Sequence, residues 1–201
     1  MEDFKLFFHQ GWLHISDITA YDHILFITAL TAVYSLRRWA IIAWLVTAFT
    51  LGHSLALAAS VLQWVVLPTA LIEFLIPVTI ILTCGLNIAT AQNEENAPIK
   101  NLSLKYAAAV FFGLIHGLGF SNYLKFILSE QDNLFLPLLG FNIGLEFGQL
   151  LIMATVLLVN FIFTQLLKYP LRDWTLIVSA AVAGIALVLS IETGYALWAD
   201  K

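Results

Sequence analysis

The chain has 201 residues, of which 61% are hydrophobic and only 11% charged, and a mean hydropathy of +0.90. A soluble domain is about 45–50% apolar and about 25% charged. A single core in water is therefore excluded, as is a disordered chain. With 9 Lys+Arg against 13 Asp+Glu the net charge is -4, and no nucleic-acid partner is expected. The lone cysteine, Cys84, permits neither an intrachain disulfide nor a CxxC metal knuckle. An all-α, polytopic membrane bundle remains, forming a single transmembrane domain over 1–201.

Residues 1–18 read as a short outer helix at the membrane interface or folded over the bundle mouth. Phe4, Leu6, Phe7, Phe8 and Trp12 make it apolar, while Glu2, Asp3 and Lys5 interrupt it. It lacks the basic start and small-residue cleavage site of a secretory signal. Runs of roughly 20 apolar residues, the length that crosses a hydrocarbon core, then give six spans. These lie at about 19–36, 39–61, 68–91, 103–128, 134–167 and 173–197. The polar stretch Gln92–Pro98 is the clearest loop. The fifth run is too long for one straight crossing, and Pro137, Gly140, Gly144 and Gly148 predict an irregular entry.

Orientation follows the short-loop Lys and Arg. Arg37, Arg38, Lys100, Lys105, Lys168 and Arg172 fall on one side. Lys5, Lys125 and Lys201 fall on the other, with Glu2, Asp3, Asp17, Glu130, Asp132 and Asp200. The first side is expected to be cytoplasmic. That makes a multi-pass protein of the inner (cytoplasmic) membrane with both termini outside, in contact with lipid. Self-association into a homo-oligomer is left open by the sequence.

At 1.5 Å per residue, the intramembrane ionisable groups fall between the midplane and the outer face. Asp22 and His23 begin span one, and His53 with Ser54 comes about 21 Å along span two. Glu73 starts span three, His116 and Glu146 lie near the middle of spans four and five, and Glu192 lies late in span six. The inner half offers only Asn87 and Asn160. Each charge in lipid costs roughly 2.5–3.5 kcal/mol on insertion scales, and gathering them in one polar cavity relieves that cost.

Taken singly, each has a bland explanation: a buried His hydrogen-bonded to a neighbouring helix, Asp22 as a helix cap, Glu73 and Glu192 snorkelling to the interface. Together, Asp22, His23, His53, His116 and Glu146 read as a transition-metal site. Imidazole with carboxylate suits Ni, Co, Zn, Fe or Mn, of which Ni, Co or Zn is the expected ion, whereas Cu(I) prefers sulfur. Asp22 could orient a ligating ring. Ser54, Asn142 and Gln149 are accessory donors, and His14 with Asp17 reads as an entrance pair.

Gly113, Gly117 and Gly119 surround His116, and Gly140, Gly144 and Gly148 surround Glu146, at spacings that permit close helix approach. An internal similarity links the halves: Asp22–Phe26 with Ile115–Phe120, and Phe49–Gly52 with Phe141–Gly144. Three spans per half predict a 3+3 inverted repeat, a transporter architecture with its site at the repeat interface.

Four segments also resemble the HupE/UreJ membrane proteins. They are Gly11–Ile15 followed by Tyr21–Phe26, then Thr47–Ser54, Phe112–Phe120, and Phe141–Gln149. They fall in order over nearly the whole chain. The spacing from His14 to Asp22 is longer than the usual family spacing, and Ala20 stands where a glycine is usual. The resemblance implies a nickel or cobalt permease and assigns Asp22, His23, His53, His116 and Glu146 to metal binding. The expected function is a secondary permease for a divalent transition metal. The alternative is an intramembrane zinc-dependent hydrolase open to the outer face.

Overall fold

A computed structural model describes residues 2–18, 21–91, 101–128 and 134–199. Among these the secondary structure is helical throughout. The elements are α1 (Glu2–Ser16), α2 (Asp22–Ala32), α3 (Trp39–Val61), α4 (Thr69–Thr90), α5 (Leu102–Gly119), α6 (Ser121–Leu128), α7 (Phe135–Phe161) and α8 (Leu171–Ala199). A 3₁₀ turn over Leu36–Arg38 leads into α3, and a π turn over Ile162–Leu166 extends α7. The loop expected at Gln92–Pro98, with Lys100, Glu130, Asp132, Asp200 and Lys201, lies outside the described residues.

Among the described residues, five helical segments are long and apolar enough to cross a membrane: Leu36–Val61, Thr69–Thr90, Leu102–Gly119, Phe135–Leu166 and Leu171–Ala199. Large apolar side chains point outward from them, among them Trp44, Leu82, Phe111, Leu151, Ile177 and Leu187. Such a surface is solvated by lipid and would be costly in water. The protein is a multi-pass membrane protein.

The first expected span, at about 19–36, differs. α2 has 11 residues and is only about 16 Å long, too short to cross alone. Its end is fixed by distant side chains. Asn87 Nδ2 donates to Ala29 O at 2.7 Å, Thr175 Oγ1 to Ala32 O at 3.2 Å, and Asn160 Nδ2 to Tyr34 O at 2.7 Å. Polar groups from α4 and α8 thereby satisfy last-turn carbonyls that a helix C-terminus leaves open, and Asn160 of α7 holds the chain just beyond it.

The N-terminal segment is not draped over the bundle mouth. α1 lies lengthwise on α7 and runs in the same direction. A Cβ at Gly140 would meet Phe4 O at 2.6 Å, at Gly144 Phe8 O at 2.0 Å, and at Gly148 the Ile15 side chain at 2.2 Å. The reverse holds at Gly11, where a Cβ would meet Phe141 O at 2.0 Å. These glycines are therefore contact surfaces, and α7 is regular from Phe135 onward instead of entering irregularly. Pro137 sits in its first turn, where a missing N–H costs no helical bond.

α3 and α5 form the matching pair. A Cβ at Gly52 would meet Val110 O at 2.0 Å, and at Gly113 Phe49 O at 2.1 Å. At Gly117 it would meet His53 O at 2.4 Å, so these helices are also parallel. α4 and α8 pack antiparallel, with Phe74 against Gly194 and Asn87 against Ser179.

Candidate metal centre

Four histidines from four helices meet in the interior. His14 comes from the last turn of α1, His23 from the first turn of α2, His53 from α3 and His116 from α5. The close backbone approaches at Gly11, Gly113 and Gly117 bring their helices together. Ring centroids lie 4.8 Å apart for His14–His23, 5.6 Å for His23–His53, 5.9 Å for His14–His53 and 5.2 Å for His23–His116.

Among the described residues, two sets have ligand atoms within 4.8 Å of one another: His14, His23 and His53, and Asp22, His23 and His116. His23 belongs to both. Phe26, Phe49, Phe120 and Phe141 wall the cluster, with Phe120 3.8 Å from His14 and Phe49 5.1 Å from His116 between centroids.

Hydrogen bonding separates these rings from ordinary buried histidines. His23 Nδ1 lies 3.2 Å from Asp22 Oδ1, and His116 Nε2 lies 2.9 Å from Thr79 Oγ1. The remaining nitrogens, His23 Nε2 and His116 Nδ1, are buried without a partner, as are His14 Nε2 and both nitrogens of His53. Native interiors satisfy most such atoms. Each neutral imidazole carries one lone pair and one N–H, so the cluster can present one nitrogen lone pair per ring, which is what a nitrogen-binding cation would use.

Of the residues singled out in the sequence, Asp22, His23, His53 and His116 are therefore gathered here. His14, read there as part of an entrance pair, is a member of the cluster. A signal for it exists in the sequence: Gly11-Trp12-Leu13-His14 parallels Gly113-Leu114-Ile115-His116. The two glycines make matching approaches, Gly11 to Phe141 O and Leu145 N, Gly113 to Phe49 O and His53 N. His14 is thus the counterpart of His116, and the alignment of Asp22–Phe26 with Ile115–Phe120 is displaced in favour of this one. The pairing of Phe49–Gly52 with Phe141–Gly144 fits the same contacts.

Glu146 occupies a separate oxygen cluster between α3 and α7. Thr47 Oγ1 donates to its Oε1 at 2.6 Å, and Thr50 Oγ1 bonds its Oε2. Thr50 Oγ1 also lies 2.6 Å from Gln149 Oε1. Thr50 precedes His53 by one turn of α3. Ser54 donates to Thr50 O at 2.7 Å, and the Oδ1 of Asn142 is buried without a partner. Asp17 is exposed but close enough to His14 to act on it electrostatically. Glu73 and Glu192 are exposed on α4 and α8.

A family model described as HupE / UreJ protein matches residues 1–197. No curated protein and no solved structure gives a match. With the match running from α1 through α8, the chain belongs to the HupE/UreJ family of membrane proteins.

Proposed function

We propose that the protein is a secondary permease for a divalent transition metal of the nickel/cobalt class, with the imidazole cluster as its binding site. The observation that carries this reading is the set of five unpartnered buried imidazole nitrogens on His14, His23, His53 and His116. An unsatisfied buried polar atom costs about 1–3 kcal/mol, so the cluster is a large burden unless a cation takes up the lone pair that each ring can offer. Nitrogen donors with one nearby carboxylate suit nickel, cobalt or zinc. Asp22 orients His23 and raises its basicity, as carboxylates do for ligating histidines. Membership of the HupE/UreJ family agrees with nickel or cobalt as cargo.

Helix pairing favours a 3+3 inverted repeat. The first helix of each half packs parallel on the third helix of the other, α1 on α7 and α5 on α3, while α4 and α8 pair antiparallel. In this reading α1 and α2 together form the first, broken span, interrupted beside the cluster. Discontinuous helices at a repeat interface near the bilayer midplane are a transporter's binding architecture. Thr79, which touches His116, lies midway along α4.

Arg37, Arg38, Lys105, Lys168 and Arg172 collect at one end of the bundle, as expected for the cytoplasmic face of an inner-membrane protein with its N-terminus outside. Metal enters from outside, exchanges water for imidazole and moves past the Glu146–Thr47–Thr50–Gln149 oxygens toward the cytoplasm. The membrane potential supplies about 2.3 kcal/mol per charge per 100 mV.

Elemental analysis of protein purified under metal-replete conditions tests the site. Bound nickel, cobalt or zinc at near one ion per chain, lost in His53→Ala, is the expected result. Absence of stoichiometric metal in the unmodified chain would overturn the reading.

A further inference from the structure

We infer that Thr79 is a positioning residue for the metal site: its hydroxyl holds His116 as the Nε2–H tautomer and so presents Nδ1 as the coordinating atom. The inference rests on the metal-site reading above and names a residue outside the four-histidine set.

The argument is proton bookkeeping. Thr79 is 3% exposed and reaches two groups. Its Oγ1 donates to Ile76 O at 2.7 Å, and it lies 2.9 Å from His116 Nε2. A hydroxyl has one hydrogen and two lone pairs, and a carbonyl oxygen can only accept. With that hydrogen on Ile76 O, Thr79 can only accept from His116. Nε2 must then carry the ring proton, which leaves Nδ1 with its lone pair free. Nδ1 is the His116 nitrogen that is buried and unpartnered, and His116 forms one of the two ligand sets with Asp22 and His23.

The ring cannot readily turn to exchange its nitrogens. Phe26 and Phe49 pack against it at 5.2 Å and 5.1 Å, and His23 at 5.2 Å. On either side of it in α5, Gly113 and Gly117 abut the backbone of α3.

A second consequence concerns how tightly His116 holds a cation. His23 is supported by the carboxylate of Asp22, whereas His116 is supported by a neutral hydroxyl. A carboxylate partner raises imidazole basicity more than a neutral acceptor does. His116 is therefore the weaker of the two ligands, suited to a step at which the ion is released.

The test uses the full chain labelled with ¹⁵N-histidine in lipid nanodiscs, with the His116 signals assigned by their loss in His116→Gln. In metal-free protein the ring-nitrogen shifts should report Nε2 protonated and Nδ1 bare. Thr79→Val should lose this single tautomer and Thr79→Ser should keep it, with Thr79→Ala standing in if the valine variant does not fold. Titration with Ni²⁺ alone should show affinity reduced about 10–100-fold in Thr79→Val and restored in Thr79→Ser. An unchanged tautomer in Thr79→Val, or unchanged Ni²⁺ affinity, would overturn the inference. If the unmodified chain binds no Ni²⁺, the metal reading fails, while the tautomer comparison still decides what Thr79 does.

Discussion

Imidazole is tolerated in an apolar interior when both ring nitrogens have partners, and His53 has neither. An apolar side chain in its place should therefore cost the metal-free protein little. Leu145 stands at the matching position of α7, where the Gly11 approach mirrors that of Gly113 to His53. The expected result for His53→Leu is an unfolding temperature equal to or above that of the unmodified protein without metal, and no rise when Ni²⁺ is added. Thermal unfolding in detergent, with and without the ion, checks both halves. At this scale the sequence pointed to most of the residues that meet and less well to how they are arranged. Asp22, His23, His53 and His116 were legible because ionisable groups in lipid are costly. His14 was read as part of an entrance pair because it lies before the first long apolar run. Glu146 was grouped with the imidazoles by depth, yet depth along a helix does not say which face a side chain occupies. The hydroxyls of Thr47 and Thr50 hold it elsewhere.

Small residues set the helix pairs, because helices in lipid associate by close packing and hydrogen bonding in place of a hydrophobic drive. Gly11→Ala, Gly113→Ala and Gly144→Ala would each put a Cβ about 2 Å from a backbone oxygen of the facing helix. Each should destabilise by about 1–3 kcal/mol, the usual cost of overpacking. Gly85→Ala and Gly184→Ala meet nothing within 4 Å and should be neutral or stabilising by up to about 1 kcal/mol through helix propensity. Denaturant unfolding of the five variants checks the contrast.

The caps on α2 give a second expectation at this scale. Asn160→Leu leaves Tyr34 O without its donor, a loss of about 1–3 kcal/mol measurable by the same unfolding experiment. The extent of α2 was not legible in the sequence. Apolar residues continue past Ala32, and the helix stops where Asn87 and Thr175 donate to its last-turn carbonyls and Asn160 donates to Tyr34 O just beyond. Asn87 and Asn160 stood out as inner-half polar groups, but their partners are distant in the chain.

For the whole molecule, the multi-pass helical character followed from the apolar runs, and the second, third, fifth and sixth spans lie close to their expected limits, whereas the fourth, expected at about 103–128, is divided into α5 (Leu102–Gly119) and α6 (Ser121–Leu128). The first does not, because α2 (Asp22–Ala32) has only 11 residues and ends short of the expected limit. A sliding count of apolar residues cannot see where side chains distant in the sequence end a helix. Transport is the claim that joins the cluster to this architecture. Its most direct test is uptake of radioactive Ni²⁺ into proteoliposomes containing the full chain, under an imposed negative-inside potential. The prediction is saturable uptake that grows with the potential and falls at least tenfold in His23→Ala and His53→Ala. Stoichiometric metal binding with no flux at any potential would contradict it and favour the intramembrane hydrolase.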